Sequence, residues 1–174
     1  PLKRAAMKFP HLFRPGRIGT MEVRNRIIAS PMERNYCTLE GRITQRYIDY
    51  MEARAKGGIG LMYTEATYVE PRGKGRPYQM GLYDDELIPQ FRKMVQAVQK
   101  HGARIGPELH FGGRVVSPDV SGLESWAPSA VPYTGVAPFV PHAMTKEEID
   151  YIIRCFAEAA LRTQKAGCDF VGLH

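Results

Sequence analysis

ARIGPELHFGGR, residues 103–114, decides the fold. It follows Gly102, where a helical pattern stops, and it starts as a buried strand, with Ala103 and Ile105 among few polar residues. It ends in a double-glycine turn. Strand side chains alternate between faces, so Glu108 and His110 share one face where a plain core strand would carry Val or Ile. An apolar strand that finishes in polar groups and then turns on glycine is the pattern of a parallel βα unit, whose chemistry sits at the carboxyl ends of its strands.

The same order of elements repeats on both sides of this stretch. Upstream, NRIIASPM (25–32) is a short apolar run closed by proline. TQRYIDYMEARAKGG (44–58) sets Tyr47, Tyr50, Met51 and Ala55 at helical spacing and stops on glycines. IGLMYTEA (59–66) is a second apolar run. DDELIPQFRKMVQAVQKHG (84–102) places Leu87, Phe91, Met94, Val95 and Val98 on one helical face. Downstream comes a Gly/Pro/Ser-rich loop, 112–143. TKEEIDYIIRCFAEAALRTQKAG (145–167) then has Thr145 and Glu148 at capping-box spacing and an expected buried stripe of Ile149, Ile152, Ile153, Phe156 and Ala160. CDFVGLH (168–174) is the fourth run. Strands alternating with helices imply a parallel sheet with right-handed crossovers. We expect an α/β fold, a (β/α)₈ TIM barrel, of which residues 1–174 supply the first four βα units. LFRPGRIGTMEVRN (12–25) precedes them as a small hairpin. A full barrel takes about 250 residues. Residues 1–174 are therefore expected to be the N-terminal half of a single barrel domain, cut at the end of strand four.

Composition narrows the function classes. Apolar residues make up 44% and charged residues 24% of 174, ordinary for a globular domain with its own core. The net charge of +6 is spread over scattered arginines, with no basic tract and no nucleic-acid-binding motif. No apolar run approaches a membrane span. Cys37, Cys155 and Cys168 form no C-x-x-C pair, which points to free thiols in a reducing cytoplasm. The histidines are too dispersed for a metal site or a nucleophilic triad, and no Rossmann or Walker motif occurs. No strand ends in a lysine suited to a Schiff-base lyase or aldolase.

The strand ends carry the candidate chemistry: Ser30-Pro31-Met32-Glu33, Thr64-Glu65-Ala66-Thr67, Glu108-Leu109-His110 and His174. Glu65 reads either as a surface carboxylate, a partner for a rim arginine, or a site residue. His110 taken alone reads as a packed core histidine, Asp169 as a helix-to-strand loop residue, and the Trp126 loop as packing.

LFRPGRIGTMEVRNRIIASPM (12–32), GLMYTEA (60–66), IGPELHFGGR (105–114), APSAVP (127–132) and residues 144–174 together resemble the Old Yellow Enzyme family of flavin-dependent ene reductases, in order and spacing. The resemblance implies FMN bound at the carboxyl rim of the barrel and NADH or NADPH as reductant. It implies hydride delivery to an activated C=C bond of an enone, enoate or enoyl-CoA type. It implies that Ser30, Pro31, Met32, Glu33, Ala66 and Glu108 bind the cofactor and that His174, the first of a paired His/His or His/Asn whose second member is expected beyond residue 174, binds the substrate's electron-withdrawing oxygen and is catalytic. Tyr36, adjacent to a position where one subgroup carries tyrosine, is a candidate substrate contact in its own right. Glu33 departs from the Thr or Cys common at its position. Larger relatives add a 4Fe–4S cluster and an FAD region after the barrel, and a Glu at the position of Glu108 also suits the trimethylamine dehydrogenase branch. The alternatives are therefore a flavin-dependent amine dehydrogenase of that type, and a non-catalytic barrel fragment. The expected partner is a small-molecule substrate, not nucleic acid or a membrane, with a homo-oligomer left open.

Glu108 stands where most of these reductases carry Gln. A carboxylate only accepts hydrogen bonds, and its charge opposes an anionic reduced ring. Glu108→Gln in the full-length protein is therefore expected to raise the flavin reduction potential. A redox titration showing no rise would contradict this placement of Glu108.

Overall fold

The computed structural model describes residues 8–135 and 137–174. In chain order, the short helix α1 (Pro10–Phe13) leads into strands β1 (Gly16–Ile18) and β2 (Met21–Val23), which pair antiparallel around Gly19 at φ 58°. Then follow β3 (Ile28–Ala29), helix α2 (Gln45–Lys56), β4 (Leu61–Tyr68), α3 (Ile88–Gln99), β5 (Arg104–His110), the one-turn α4 (Pro118–Ser121), the short pair β6 (Trp126–Ala127) and β7 (His142–Ala143), α5 (Lys146–Ala166) and β8 (Gly172–Leu173). One parallel sheet runs β3–β4–β5–β8, with α2, α3 and α5 along one face. This is the half-barrel the repeat implies. β6 and β7 pair parallel inside the long 112–143 loop, where the composition suggested only irregular chain.

The helices form for the reasons the sequence gives. Thr44 caps α2 by accepting from the Tyr47 amide. Thr145 and Glu148 complete a reciprocal capping box on α5. Gly102 and Gly167 take positive φ where their helical segments stop, a conformation that costs glycine nothing. The core lies between helices and sheet. Met51 and Ala55 of α2 and Phe91, Met94, Val95 and Val98 of α3 pack with Met62, Ile105 and Leu109 of the strands. Arg24, just after the hairpin, locks the amino end of the sheet. Its guanidinium donates to the carbonyls of Ala55, Ile59 and His101, and so ties the carboxyl ends of α2 and α3 together.

The buried stripe of α5 differs from expectation. Ile152, Cys155, Ala159, Thr163 and Ala166 face the core, whereas Ile149 and Ile153 are exposed and Phe156 and Ala160 half-buried. The helix is rotated by roughly a quarter turn from the expected orientation, at 100° per residue. Its apolar arc is wider than one contact face, and packing against α3 and β5 selects the small-residue side.

One irregularity shapes the sheet. The β4–β5 ladder pairs Tyr63 with Gly106 but then Ala66 with Glu108, so β4 carries one extra residue. The hydroxyls of Thr64 and Thr67 lie 3.1 Å apart, and Thr67 also donates to the Glu65 carbonyl. These bonds satisfy backbone and side-chain groups that the bulge removes from the ladder.

The concave face is crowded just below the rim. Tyr63 meets Phe170 edge-on at 4.8 Å, and Gly106 lies against the Phe170 backbone. A Cβ on Gly106 would sit 2.1 Å from the Phe170 carbonyl oxygen. Gly106→Ala must therefore push β5 and β8 apart. We expect a loss of at least about 2 kcal/mol in denaturant unfolding of the full-length protein; wild-type stability in that variant would refute this packing.

Candidate active site

Register alone assembles a row at the carboxyl rim. Ala66 of β4 pairs with Glu108 of β5, and Glu108 with Gly172 of β8. One step further, the His174 amide donates to the Leu109 carbonyl at 2.9 Å. This brings the His110 and His174 rings to 5.2 Å between centroids, inclined at 64°. His110 is half-buried and His174 exposed. Burial, reinforced by the neighbouring His174, brings the His110 imidazole down to about 4, so it is neutral at physiological pH.

The segment after β3 approaches the same rim. Ser30 and Met32 line a cavity of about 240 Å³ against helix α2, with Tyr47, Tyr50, Met51, Arg54, Tyr63 and Glu65, and Pro31 lies between them in sequence, half-buried. Glu33 turns toward Arg76 and pairs with its guanidinium at 3.2 Å. A second cavity, about 160 Å³, is lined by Glu33, Arg76, His110, Val116 and Tyr133. Tyr36 is half-buried, edge-on to Tyr50 at 5.8 Å, with the Arg46 guanidinium 3.9 Å over its ring.

Glu65 resolves into neither a surface carboxylate nor the partner of an arginine side chain. It is fully buried, and its two oxygens accept from the backbone amides of Arg34 and Met80, each at 2.8 Å. Burial pushes its pKa up to about 7 against the pull of those two amides. Its own amide donates to the Tyr47 hydroxyl at 3.0 Å. Glu65 thus ties the loop after β3 and the 75–80 loop to strand β4.

Gln79 escaped the sequence reading. It is buried, donates to the Ala66 carbonyl at 2.7 Å and accepts from the Gly75 amide at 2.6 Å. A glutamine in a turn-rich segment gives no signal for this role until the loop is folded. Asp169 is a loop residue, as expected, but also a clasp, accepting from Arg104 at 2.8 Å and from the Ile105 amide at 2.9 Å. Trp126 packs, as expected, with Arg72 4.3 Å over its ring.

These residues fit a flat flavin ring. Ala66 offers only a methyl group at its register position beside Glu108, which leaves room for a planar face. Glu108 next to it supplies an acceptor for a ring N–H, and two imidazoles stand nearby, His110 at the end of the same strand and His174 after β8. Among the described residues no three His, Cys, Asp or Glu side chains gather to hold a metal, and no helix is long and apolar enough to cross a membrane.

The chain is a parallel half-barrel of the (β/α)₈ kind, with polar side chains along its carboxyl rim. The chain belongs to the NADH:flavin oxidoreductase / NADH oxidase family, whose pattern matches residues 11–174. It is 40% identical over 168 residues to an NADH oxidase of Thermoanaerobacter brockii, covering 95% of this chain and 26% of that protein. It is 37% identical over 164 residues to an NADPH dehydrogenase of Geobacillus thermodenitrificans, covering 94% of this chain and 47% of that protein. Among solved structures it superposes on the Old Yellow Enzyme homologue of Zymomonas mobilis with a TM-score of 0.86 at 31% identity, covering 95% of this chain and 48% of that one. The chain thus spans between about a quarter and about a half of the length of these relatives.

Because the pKa of Glu65 is raised by folding, from the ordinary 4.5 to about 7, its contribution to stability is fully present below about pH 4.5 and is lost as pH rises through about 7. Denaturant unfolding of the full-length protein across that window is expected to show a downward slope that Glu65→Gln removes. Equal slopes in the two proteins would refute the assignment.

Proposed function

We propose that the full-length protein is an FMN-dependent oxidoreductase that uses NADH or NADPH to reduce an activated C=C bond of an enone, enoate or enoyl-CoA type. The observation that carries this reading is the register-locked row Ala66–Glu108–Gly172 with His174 at its outer end. When bound, FMN supplies the hydride chemistry, accepting from the nicotinamide and delivering to the alkene β-carbon.

The chain's own residues bind, orient and stabilise. Ser30, Pro31, Met32 and Glu33 line one side of the ring, and Ala66 leaves space for its face. Glu108 accepts from the ring's N–H edge. His174 donates to the substrate oxygen, where negative charge builds as hydride adds to the β-carbon. A donor aimed at that oxygen lowers the barrier. Glu65 and Gln79 hold the loops that present these groups.

The chain covers 26% of the NADH oxidase it is similar to, which fits a longer parent protein; a 4Fe–4S cluster and FAD after the barrel are proposed on the family resemblance alone. The proposed setting is the cytoplasm, with a small-molecule substrate.

The full-length protein is expected to purify yellow, to bleach anaerobically with NADH or NADPH, and to recover its colour with 2-cyclohexenone. His174→Ala is expected to slow the recovery by about a hundredfold. A full-length protein that takes up no flavin would overturn the proposal.

A further inference from the structure

We propose that Arg76 recognises an anionic group of the substrate, so that the preferred substrate carries a carboxylate separate from its activating carbonyl, with the carbonyl at His174 and the carboxylate against Arg76. This deepens the functional reading above and rests on it. The cavity of about 160 Å³ lined by Glu33, Arg76, Val116 and Tyr133 also reaches His110, whose ring lies 5.2 Å from that of His174. A space this small admits a short acid and not a nucleotide.

The segment PRGKGRP, 71–77, holds three cations, and the fold leaves one of them to this cavity. Arg72 is held by Glu70 at 2.7 Å and lies over the Trp126 ring. Lys74 donates to the Leu39 carbonyl. Arg76 alone of the three lines the cavity. Its backbone is fixed from behind, because the side-chain oxygen of buried Gln79 accepts from the Gly75 amide at 2.6 Å and the Arg76 amide at 3.2 Å. Its side chain is 60% exposed and meets Glu33 through Nε at 3.2 Å, while Nη1 donates to the adjacent Gly75 carbonyl at 3.3 Å. Among the described residues nothing accepts from Nη2. A guanidinium engaged in this way keeps donors free for a second, planar anion.

An ion pair this exposed adds little to stability, and Gln79 and Glu65 already hold the loop. The pair with Glu33 keeps the guanidinium at the cavity until an anion takes its free side. His110 is neutral at physiological pH, so Arg76 is the cation that an anion meets among the lining residues. Val115, Val116 and Tyr133 give the carbon chain an apolar wall.

The test uses the full-length, FMN-loaded protein and compares an acid with its methyl ester in two readouts. One is kcat/KM for 4-oxopent-2-enoate and for its methyl ester. The other is Kd, by calorimetry, for the saturated 4-oxopentanoate and its methyl ester. Taking the acid-to-ester ratio within one preparation cancels differences in flavin content and folded fraction. Arg76→Gln is expected to lower that ratio about tenfold in both readouts, the loss of one charged hydrogen-bonding partner. A structural role for Arg76 would leave the ratio where it is, so an unchanged ratio overturns the inference. A wild type that binds 4-oxopentanoate no more tightly than its ester also overturns it, whether or not the variant folds. Failure of the functional reading is separately visible, because the wild type would then prefer the acid in binding yet pass no hydride to 2-cyclohexenone or to 4-oxopent-2-enoate.

Discussion

Between Tyr63 and Ala66 strand β4 spends three residues where β5 spends two. Side chains in a strand alternate with period two, so an unbulged ladder would set Glu65 opposite Glu108. Two carboxylates would then share the concave face near its rim, each penalising the other's charge. The bulge replaces that pair by Ala66 beside Glu108 and sends Glu65 to the opposite side, where two backbone amides receive it. The small methyl at the rim, the lone acceptor beside it and the buried loop anchor all follow from one extra residue.

The two sides of the sheet answer to different physics. The helix side is held by apolar packing around Met62, Ile105, Leu109 and Phe91, with Arg24 satisfying the carbonyl ends of the helices. The concave side is nearly without conformational slack. Gly106 and Gly172 let the Phe170 backbone and the Tyr63 ring approach where any Cβ would collide. Polar side chains near the rim are held largely by backbone partners: Glu65 by amides of two loops, Gln79 by the Ala66 carbonyl and the Gly75 amide. Groups left without such partners, His110 and His174 above all, are the ones that face the open rim.

Much of this is legible in the sequence. The βα order, the glycine stops at 102 and 167, the capping box of α5 and the buried face of α3 each depend on local chemistry, and the folded chain bears them out. Features that depend on neighbours are not legible. The apolar residues of α5 span more than one face, and only packing decides that Ala159 and Thr163 turn inward while Ile153 turns out. The bulge is hidden because LMYTEATY is almost wholly buried, leaving no alternation to betray a slip. Glu108 and Ala66 can be placed as strand-end residues from pattern alone, but the contact of His110 with His174 needs the inter-strand register. Glu65 looks like any rim carboxylate until both of its amide partners, 31 and 15 residues away, have folded around it.

The way Glu65 grips its loops bears on how such a site can diversify. It reads only backbone amides, and every residue except proline has one. The half-buried side chain at 34 can therefore change without loosening the anchor, whereas Met80, fully buried in the core, is held by its packing as well. A lineage could rewrite the loop after β3, trading Glu33 or Tyr36 for other groups, while the frame beneath the rim stays fixed. Innovation at the rim is decoupled from integrity below it.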